Sequence, residues 1–498
     1  MAQTLTYFDE PELMFAREQQ TEDPRDGLAL FGPLDAGKPF GLRVGVVGTA
    51  QGLDLYRRWT RRIAQPVFTK GTVAAHPVFP GFEATFGIPW GSEPTITSTV
   101  SRAEVLAAVG IPDSHQRVFR TVELFTSAIV DAVRRLEESA DVWYVVIPDE
   151  VYLYCRPQSA VNSELRTENP YQMNARLARL LRTQATMFDE DRVAAVPYLY
   201  EVDFHHQLKA RLLAHRIPTQ IVKESTLERG ASSDEADADA SGAIAWNLGS
   251  ATFYKAGGRP WKAGGVRDGV CYIGLVFKDD PAALDGRSAC CAAQMFIDSG
   301  DGFVFRSAHE GWRAERKGSF HLRPEGAASL LRTALDSYHS QRGTWPTEVF
   351  IHGRVRFRRD EWEGFLSVAP QGTRLTGVTI KDSRDLKLYR GSKYPILRGL
   401  AYEASPQDGY LWTRGFVPRL GTYPGLETPN PLTISITDGD TDLQVVMRDV
   451  LALTKLNYNA CIHSDGVPVT LKFADAVGEI LTAAPNEGQP PLPFKHYI

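Results

Sequence analysis

The stretch from Asp203 to Lys223 is rich in side chains of the types that bind anions, among them a histidine, two lysines and a glutamine. His205 and Lys209 are four residues apart, so on a helix they lie on the same face. Gln220 and Lys223 follow a short distance along the chain, beyond a proline. Charge-assisted hydrogen bonds to phosphate oxygens contribute about 1.5–3 kcal/mol each. The residue types and their spacing therefore predict a cationic, donor-rich socket for a terminal phosphate.

The apolar residues of the same stretch predict the element that positions these groups. Phe204, Leu208 and Leu212 recur at every fourth position, which is typical of a helix lying on a hydrophobic core. Pro218 lies beyond that helix, and a short apolar run begins at Gln220. The alternative interpretation is a surface helix whose charges are simply solvated.

Length and composition are those of an ordinary globular chain. Its 498 residues suffice for two or three domains with full cores, and 43% of them are hydrophobic. No apolar run approaches the roughly 20 residues that a membrane span needs, and the acidic N-terminus lacks the apolar region of a secretory signal. The five cysteines form no CxxC pair, so disulfide frameworks and zinc sites are not expected, and the cytoplasm is the expected location.

The net charge of −5 excludes indiscriminate coating of nucleic acid. A local basic groove remains compatible with it, because phosphate contacts depend on local rather than net charge. Lysine and arginine residues of Phe320–Arg342 and of the last helices are candidates for lining such a groove.

Strands and helices alternate between residues 40 and 230, which is typical of a Rossmann-like α/β domain. Leu42–Val47 and Val142–Ile147 are predicted to be buried strands, and Val118–Leu136 an amphipathic helix. A further strand is expected near Ala194–Tyr200. The turn GTAQG after the first strand lacks the GxGxxG pattern, so a dinucleotide site is not favoured.

Residues 228–242 are acidic and contain no apolar side chain larger than alanine, which predicts a flexible loop or linker. Beyond them, several strands, a helix, another strand and terminal helices predict an RNase H-like domain. The fold class is thus α/β, with an N-terminal arm at 1–40, a Rossmann-like domain at 41–240 and an RNase H-like domain at 241–498. The apolar last residue, Ile498, is expected to be tucked into the protein.

Five segments resemble the MID and PIWI domains of an Argonaute, and the likeness extends from about residue 40 to residue 498. They are NLGSATFYKAGGRPW, CYIGLVF, VFIHGR, LGTYPGLETPNPL and LTKLNYNACIHSDGVPVTLKFADAVGEIL. The segments KAGGRPW and VPVTLKFAD are specific to this family. The length leaves no room for the N-terminal and PAZ domains of long Argonautes, so the chain resembles a short prokaryotic Argonaute.

The resemblance implies that a MID domain anchors the 5′ phosphate of a guide strand. His205, Lys209 and Gln220 match the family's phosphate ligands, and Lys255 matches the lysine before the paired glycines. Lys255 also has a structural role open to it, because a lysine at the end of a helix can bind the last main-chain carbonyls. His206 is the alternative to His205, since it too lies within one helical turn of Lys209.

The resemblance further implies a magnesium ion between guide phosphates. In the family the C-terminal carboxylate helps to hold it, here that of Ile498, together with Gln220. A hard divalent cation prefers oxygen ligands and allows a carboxylate to share a pocket with phosphate.

Cleaving Argonautes hold two magnesium ions on acidic residues of the PIWI domain. Here Val276 stands where an aspartate follows Ile-Gly-x, and Gly353 stands at the acid of Arg-Asp-Gly. Only the FAD segment keeps an acid, Asp475, which we expect to be a structural cap or a surface acid. One carboxylate cannot hold a metal pair, so no slicing and no enzyme activity are expected of this chain.

The function implied by the resemblance is guide-directed recognition of nucleic acid. A short 5′-phosphorylated guide, usually RNA, pairs with single-stranded DNA while the protein holds the backbone. A partner with an APAZ region joined to a TIR, sirtuin-like or nuclease domain is then activated in prokaryotic defence and destroys NAD or nucleic acid. We expect a heterodimer without membrane association, able to oligomerise on target binding.

Two alternatives belong to different classes of protein. An active guide-dependent nuclease needs an RNase H-like centre built from other acids, such as Asp298, Asp301 or Asp449. A Rossmann-type enzyme acting on a small molecule would bind nucleotides tightly and would not bind short 5′-phosphorylated RNA.

Overall fold

The computed structural model describes residues 5–35, 38, 40–70, 74–135, 139–183, 189–279, 289–297, 302–306, 312–316, 319–423, 425, 427–485 and 492–498. In chain order, the strands are β1 (Leu5–Tyr7), β2 (Leu13–Met14), β3 (Gln20–Thr21), β4 (Val44–Gly48), β5 (Ile96–Thr99), β6 (Val142–Ile147), β7 (Thr219–Lys223), β8 (Lys262–Ala263), β9 (Val270–Asp279), β10 (Ala289–Ile297), β11 (Gly302–Arg306), β12 (Trp312–Arg316), β13 (Ser319–Leu322), β14 (Glu348–Gly353), β15 (Arg374–Asp382), β16 (Leu400–Glu403), β17 (Asp408–Leu411) and β18 (Leu432–Asp438).

The helices are α1 (Pro24–Phe31), α2 (Ala50–Ile63), α3 (Phe82–Phe86), α4 (Arg102–Val109), α5 (Ser114–Arg135), α6 (Asp149–Tyr154), α7 (Ala175–Thr183), α8 (Asp189–Ala195), α9 (Phe204–Leu213), α10 (Glu224–Ala231), α11 (Ala238–Lys255), α12 (Pro324–Arg342), α13 (Arg359–Leu366), α14 (Leu443–Leu453) and α15 (Val469–Thr482). None of the helices in the described ranges combines the length and the apolar character that crossing a bilayer requires.

The first α/β unit is organised around a four-stranded parallel sheet in the order β5-β4-β6-β7. β4 and β6 are apolar and wholly buried, as expected for central strands of a parallel sheet. Alternate residues point to opposite faces, so Trp143 and Val145 join the core that contains α5, while Tyr144 and Val146 join the core that contains α2. The Rossmann-like prediction is confirmed.

Within the described ranges, the second sheet has nine strands in the order β1-β16-β17-β18-β15-β14-β9-β10-β11. β14 pairs in parallel with both β9 and β15, whereas β10 and β11 extend the sheet in antiparallel fashion. α12 and α13 pack into one core through Leu331 and Phe365, and α14 and α15 into another through Val450 and Val477. This mixed sheet with its flanking helices confirms the RNase H-like prediction.

α15 approaches β9 closely at Gly274. A Cβ atom added to Gly274 would lie 1.9 Å from the main-chain oxygen of Thr470, so no other residue fits without displacing the helix. This contact sets the height of α15 over the sheet and thereby fixes the position of Asp475, the acid that the helix carries.

The acidic stretch 228–242, predicted to be a flexible loop, is mostly helical, because α10 and α11 cover most of it. Alanine is the strongest helix former, and the hydroxyl of Ser241 donates to the main-chain oxygen of Gly230 at 2.8 Å. The helix α11 then continues to Lys255 without a break. The strand predicted near Ala194–Tyr200 is also wrong: the segment holds the end of α8 and a 3-10 turn, and its proline cannot donate to a sheet.

The first 40 residues, predicted to be an irregular arm, also contain regular structure. β1 extends the nine-stranded sheet by pairing with β16, and β2 pairs with β3 and β8. Glu10 forms buried ion pairs with Arg398 at 2.8 Å and Lys455 at 2.7 Å. The segment is therefore packed against the second half of the chain.

Replacing Gly274 by alanine is expected to lower the free energy of unfolding by about 1–3 kcal/mol, because the added methyl group overlaps the main chain of α15. Urea unfolding followed by circular dichroism measures the change. Gly265→Ala is the matched control, since nothing lies within 4 Å of its Cβ position. Equal unfolding midpoints for the two variants would contradict the close contact.

Candidate nucleic-acid interface

Two buried lysines from different helices lie close together at the predicted socket. Lys209 belongs to α9, which begins at Phe204 and packs into the core through that residue. Asp203 caps the helix, since its side chain accepts from the main-chain N–H of His206 at 3.0 Å. The Nζ atom of Lys209 donates to the main-chain oxygen of Thr219 at 3.2 Å and to that of Ile498 at 2.5 Å. Ile498 is buried, as expected.

Lys255 is the last residue of α11 and reaches the same place from the other side. Its Nζ atom donates to Oε1 of Gln220 at 2.6 Å. The amide nitrogen of Gln220 donates in turn to the main-chain oxygen of Ile221 at 3.2 Å. Gln220 follows Thr219 at the start of β7, so two neighbouring strand residues position the two ammonium groups.

Both ammonium groups are removed from water: Lys209 is 2% exposed and Lys255 is 1% exposed. Desolvation lowers the pKa of Lys209 to about 7. Desolvation, together with the charge of Lys209, lowers the pKa of Lys255 well below its ordinary value. Within the described part of the chain, neither lysine pairs with a side-chain carboxylate. Because unpaired buried charge is costly, the arrangement favours binding of an anion.

His205 lies one helical turn before Lys209 and is exposed to solvent. Partial desolvation of the imidazole, together with the charge of nearby Lys209, lowers the pKa of His205. A neutral imidazole can donate one N–H to an anion. The structure thus brings together His205, Lys209, Gln220, Lys255 and Ile498.

Two residues predicted for the socket, His206 and Lys223, lie apart from the lysine pair. Nδ1 of His206 is 3.1 Å from Glu201 and Nε2 is 3.4 Å from Glu479. Burial favours the neutral ring, but these carboxylates raise the pKa of His206. Lys223 ends β7, about 10 Å from Gln220 at strand spacing, and lies 3.5 Å from Asp149. Helix and strand geometry therefore turn both cations toward carboxylates instead.

Asp203, His205 and His206 place three metal-ligand atoms within 4.8 Å of one another. The first turn of a helix carries partial positive charge, and Lys209 lies one turn further on. Both effects disfavour a cation at this point, so we assign no metal to this group.

The positions of the expected catalytic acids converge at the second sheet. Val276 lies on β9, Gly353 ends β14, and Asp475 lies on α15, which packs on β9. Oδ2 of Asp475 accepts from Arg354 at 2.6 Å, and Nζ of Lys278 is 3.6 Å from Oδ1. Arg354 and Lys278 therefore compensate the charge of Asp475, and Lys278 is shared with Glu479 at 3.1 Å.

The acids considered for an alternative nuclease centre do not join this carboxylate in the described residues. Asp449 is 3.0 Å from Arg267, which also pairs with Glu348 at the start of β14, the end opposite to the converging positions. Burial raises the pKa of Asp449 in spite of the neighbouring arginine. Asp298 and Asp301 lie outside the described residues.

Comparison with solved structures identifies the fold. A structure of Clostridium butyricum Argonaute bound to a guide DNA and a 19-mer target DNA superposes with a TM-score of 0.64 at 15% identity, over 98% of this chain and 54% of that chain. The fold is Argonaute-like. Aa-Ago with externally bound siRNA and A. aeolicus Argonaute each give a TM-score of 0.53, at 14% and 15% identity, over 99% and 97% of this chain.

This chain spans about half the length of those structures, 54%, 56% and 53% respectively. No protein-family model and no curated protein matches the sequence. At sequence identities of 14–15%, the comparison shows a similarity of fold between this chain and the Argonautes.

His496 lies close enough to Lys209 to be affected by its charge, although spacing along the sequence did not reveal this residue. His496 is buried, and its Nδ1 has no hydrogen-bond partner among the described residues. Burial and the charges of Lys495 and Lys209 lower its pKa to about 4. The sequence feature that could have indicated this residue is the basic pair Lys495–His496, which directly precedes the buried Tyr497 and Ile498.

The lowered pKa of Lys209 predicts a pH dependence of stability. Its pKa is about 7 in the folded protein and about 10.4 in an unfolded chain, so between these values the unfolded chain binds more protons. The free energy of unfolding should therefore rise with pH from about 7 towards 10, by at most about 1.4 kcal/mol per pH unit for this group. Lys209→Met is expected to remove this part of the slope in urea unfolding measured across that range.

Lys381→Met is the control for this experiment, because Lys381 is exposed. It should leave the pH profile of the wild-type protein unchanged. Parallel profiles for wild type and Lys209→Met would show that Lys209 is not the buried, titrating group.

Proposed function

We propose that this chain is a short prokaryotic Argonaute that holds the 5′-phosphorylated end of a short guide strand and presents the guide for pairing. The observation that carries this proposal is the buried pair Lys209 and Lys255, which has no side-chain carboxylate partner among the described residues. A terminal phosphate is a dianion near neutral pH and offsets both charges. It also gives each ammonium group a charge-assisted hydrogen bond.

Two neutral donors complete the proposed phosphate site. Gln220 is already ordered by Lys255 at 2.6 Å, and its amide group can donate to a phosphate oxygen. His205 stands at the solvent side, where its lowered pKa keeps the ring neutral. A 5′-hydroxyl group offers neither the charge nor the three acceptor oxygens, so the proposed site distinguishes phosphorylated from unphosphorylated ends.

We further propose that Mg²⁺ binds here together with the guide phosphate, once the phosphate draws the two ammonium groups away from the oxygens they now contact. Oε1 of Gln220 and the main-chain oxygen of Ile498 are the residues that would hold it, and each now accepts from a lysine. Mg²⁺ takes one or two protein oxygens and fills its other positions with water and phosphate oxygens. Bound beside a guide, it would neutralise part of the phosphate charge.

The guide and target that we propose are a short RNA and a complementary single-stranded DNA. The Clostridium butyricum Argonaute structure, which contains a guide DNA with a 5′ deoxycytidine and a target DNA, supports guide–target pairing and a DNA target; the choice of RNA for the guide rests on the resemblance to short Argonautes. In this arrangement base pairing reads the sequence, and the protein reads the 5′ end and the backbone.

The proposal includes no strand cleavage by this chain. Two-metal hydrolysis needs several carboxylates to hold the ions. Val276 and Gly353 offer none, and Asp475 is engaged by Arg354 and Lys278. We therefore propose that any catalysis belongs to a partner with an APAZ region joined to a TIR, sirtuin-like or nuclease domain. Target recognition would activate that partner in defence against plasmids and phage.

Lys209→Ala is expected to weaken binding of a 5′-phosphorylated RNA at least about tenfold, because it removes one charge-assisted hydrogen bond in a buried site. Binding of the same RNA with a 5′-hydroxyl end should change little. Fluorescence anisotropy with both RNAs measures the ratio of the two affinities. Lys223→Ala is the matched control, since Lys223 lies at the other end of β7. Equal losses for both RNAs would show that the site is misassigned.

Incubation of the guide-loaded chain with complementary single-stranded DNA is expected to give no cleavage products, in either Mg²⁺ or Mn²⁺. Denaturing gel electrophoresis of an end-labelled target provides the measurement. Products of defined length that disappear in an Asp475→Asn variant would establish an active centre and contradict the proposal.

A further inference from the structure

The loops at one edge of the nine-stranded sheet form a cavity lined by tyrosines. β9, β14 and β15 are parallel, so their carboxyl ends share this edge with Gly353. The segment after β15 and the segment before β18 meet there, since Asp382 pairs with Leu432. A hydrogen bond of 3.0 Å from the N–H of Ser383 to the oxygen of Pro431 ties them together. The cavity therefore lies at the same edge as the positions of the expected catalytic acids.

This cavity has a volume of about 280 Å³ and is lined by Tyr389, Tyr394 and Tyr423, with Arg390 and Lys393 beside them. The volume is close to the lower end of the range for small-ligand pockets, about 300 Å³. A space of this size with aromatic walls suits one planar ring system, which can stack on the tyrosines.

Two of the three tyrosines are fixed before any ligand binds. The ring of Tyr394 stacks on Phe416 with 4.4 Å between centroids and 10° between planes. The hydroxyl of Tyr423 donates to the main-chain oxygen of Glu427 at 2.8 Å. Tyr389, in contrast, is 79% exposed and has no hydrogen bond or ring contact within the described residues. Its ring can therefore close over a ligand without breaking an existing contact.

The charges beside the rings are positive. Arg390 and Lys393 are exposed and form no ion pair in the described part of the chain. Nζ of Lys393 lies 5.3 Å from the ring centroid of Tyr394. The acid on the rim, Glu427, is 3.9 Å from Lys387 and is thus partly compensated. Aromatic rings interleaved with unpaired cations are typical of surfaces that bind single-stranded nucleic acid by base stacking and phosphate contacts.

We propose that this cavity binds one unstacked nucleobase of a single strand, with the flanking phosphates on Arg390 and Lys393. The base stacks on Tyr389, whose ring closes against the fixed Tyr394 and Tyr423. This inference rests on the proposed function and deepens it by adding a second point of contact, remote in sequence from the lysine pair. An acidic protein segment is the competing occupant; the rings favour a nucleobase, since such a segment would use the cations alone.

The test uses the full-length chain and short 5′-phosphorylated single strands that each carry one 2-aminopurine, moved along the strand one position at a time. Stacking on a tyrosine quenches this fluorophore, so we expect extra quenching at one position. Tyr389→Ala should remove that quenching and weaken binding about 5- to 150-fold, while Tyr389→Phe, which keeps the ring, should retain both. Phe68→Ala is the control for loss of an exposed ring and should have no effect.

The salt dependence of strand binding tests the role of the basic side chains beside the cavity. Arg390→Ala is expected to reduce the slope of log affinity against log salt concentration by about 0.7, the value for one contact to a single-strand phosphate. Uniform quenching at all positions, or unchanged affinity in Tyr389→Ala, would overturn the inference. Unchanged strand binding combined with lost binding of an acidic peptide would also overturn it, by assigning the cavity to protein.

The two proposals fail in different ways. The ratio of affinities for 5′-phosphate and 5′-hydroxyl strands reports the lysine pair and should be the same in Tyr389→Ala and in the wild type. A wild-type protein without that ratio would contradict the proposed function. A normal ratio with no effect of Tyr389 would overturn the nucleobase cavity alone.

Discussion

A pair of buried ammonium groups without a side-chain carboxylate is the constraint on which the candidate site depends. Lys209 and Lys255 come from helices far apart in the sequence, and neighbouring residues at the start of β7 hold both of them. The apolar faces of α9 and α11 are packed in the cores, which fixes the main-chain positions of both lysines. A bound anion would offset the cost of burying them, so the geometry favours affinity for an anion.

At the second sheet, in contrast to the lysine pair, the charged side chains are paired with side chains of opposite charge. At the edge where a nuclease of this fold needs uncompensated carboxylates, Asp475 is neutralised by Arg354 and Lys278. Glu479, one turn further along α15, contacts both Lys278 at 3.1 Å and His206 at 3.4 Å. Consecutive ion pairs therefore connect this edge with the helix that carries the first lysine, and the close contact of α15 with β9 keeps them in register.

Hydrophobic periodicity correctly predicted strands that are buried along their whole length. The predicted strand Val142–Ile147, for example, has the same first and last residues in the structure. Periodicity failed at 228–242, where an acidic composition concealed the helix propensity of alanine. Helical spacing found the site on α9 but could not distinguish His205 from His206, since both lie within a turn of Lys209. Tertiary contacts turn His206 toward Glu201 and Glu479, and no spacing rule could foresee Glu479, which a helix more than 250 residues later supplies.

The short strand β1 has a consequence for association between molecules. Sheets expose unpaired N–H and C=O groups along their outermost strand, where other chains can add. β1 covers β16 and ends the nine-stranded sheet with only three residues, too few to template a long intermolecular ladder. A form of the protein lacking residues 5–7 would uncover the edge of β16 and acquire a surface prone to edge-to-edge aggregation.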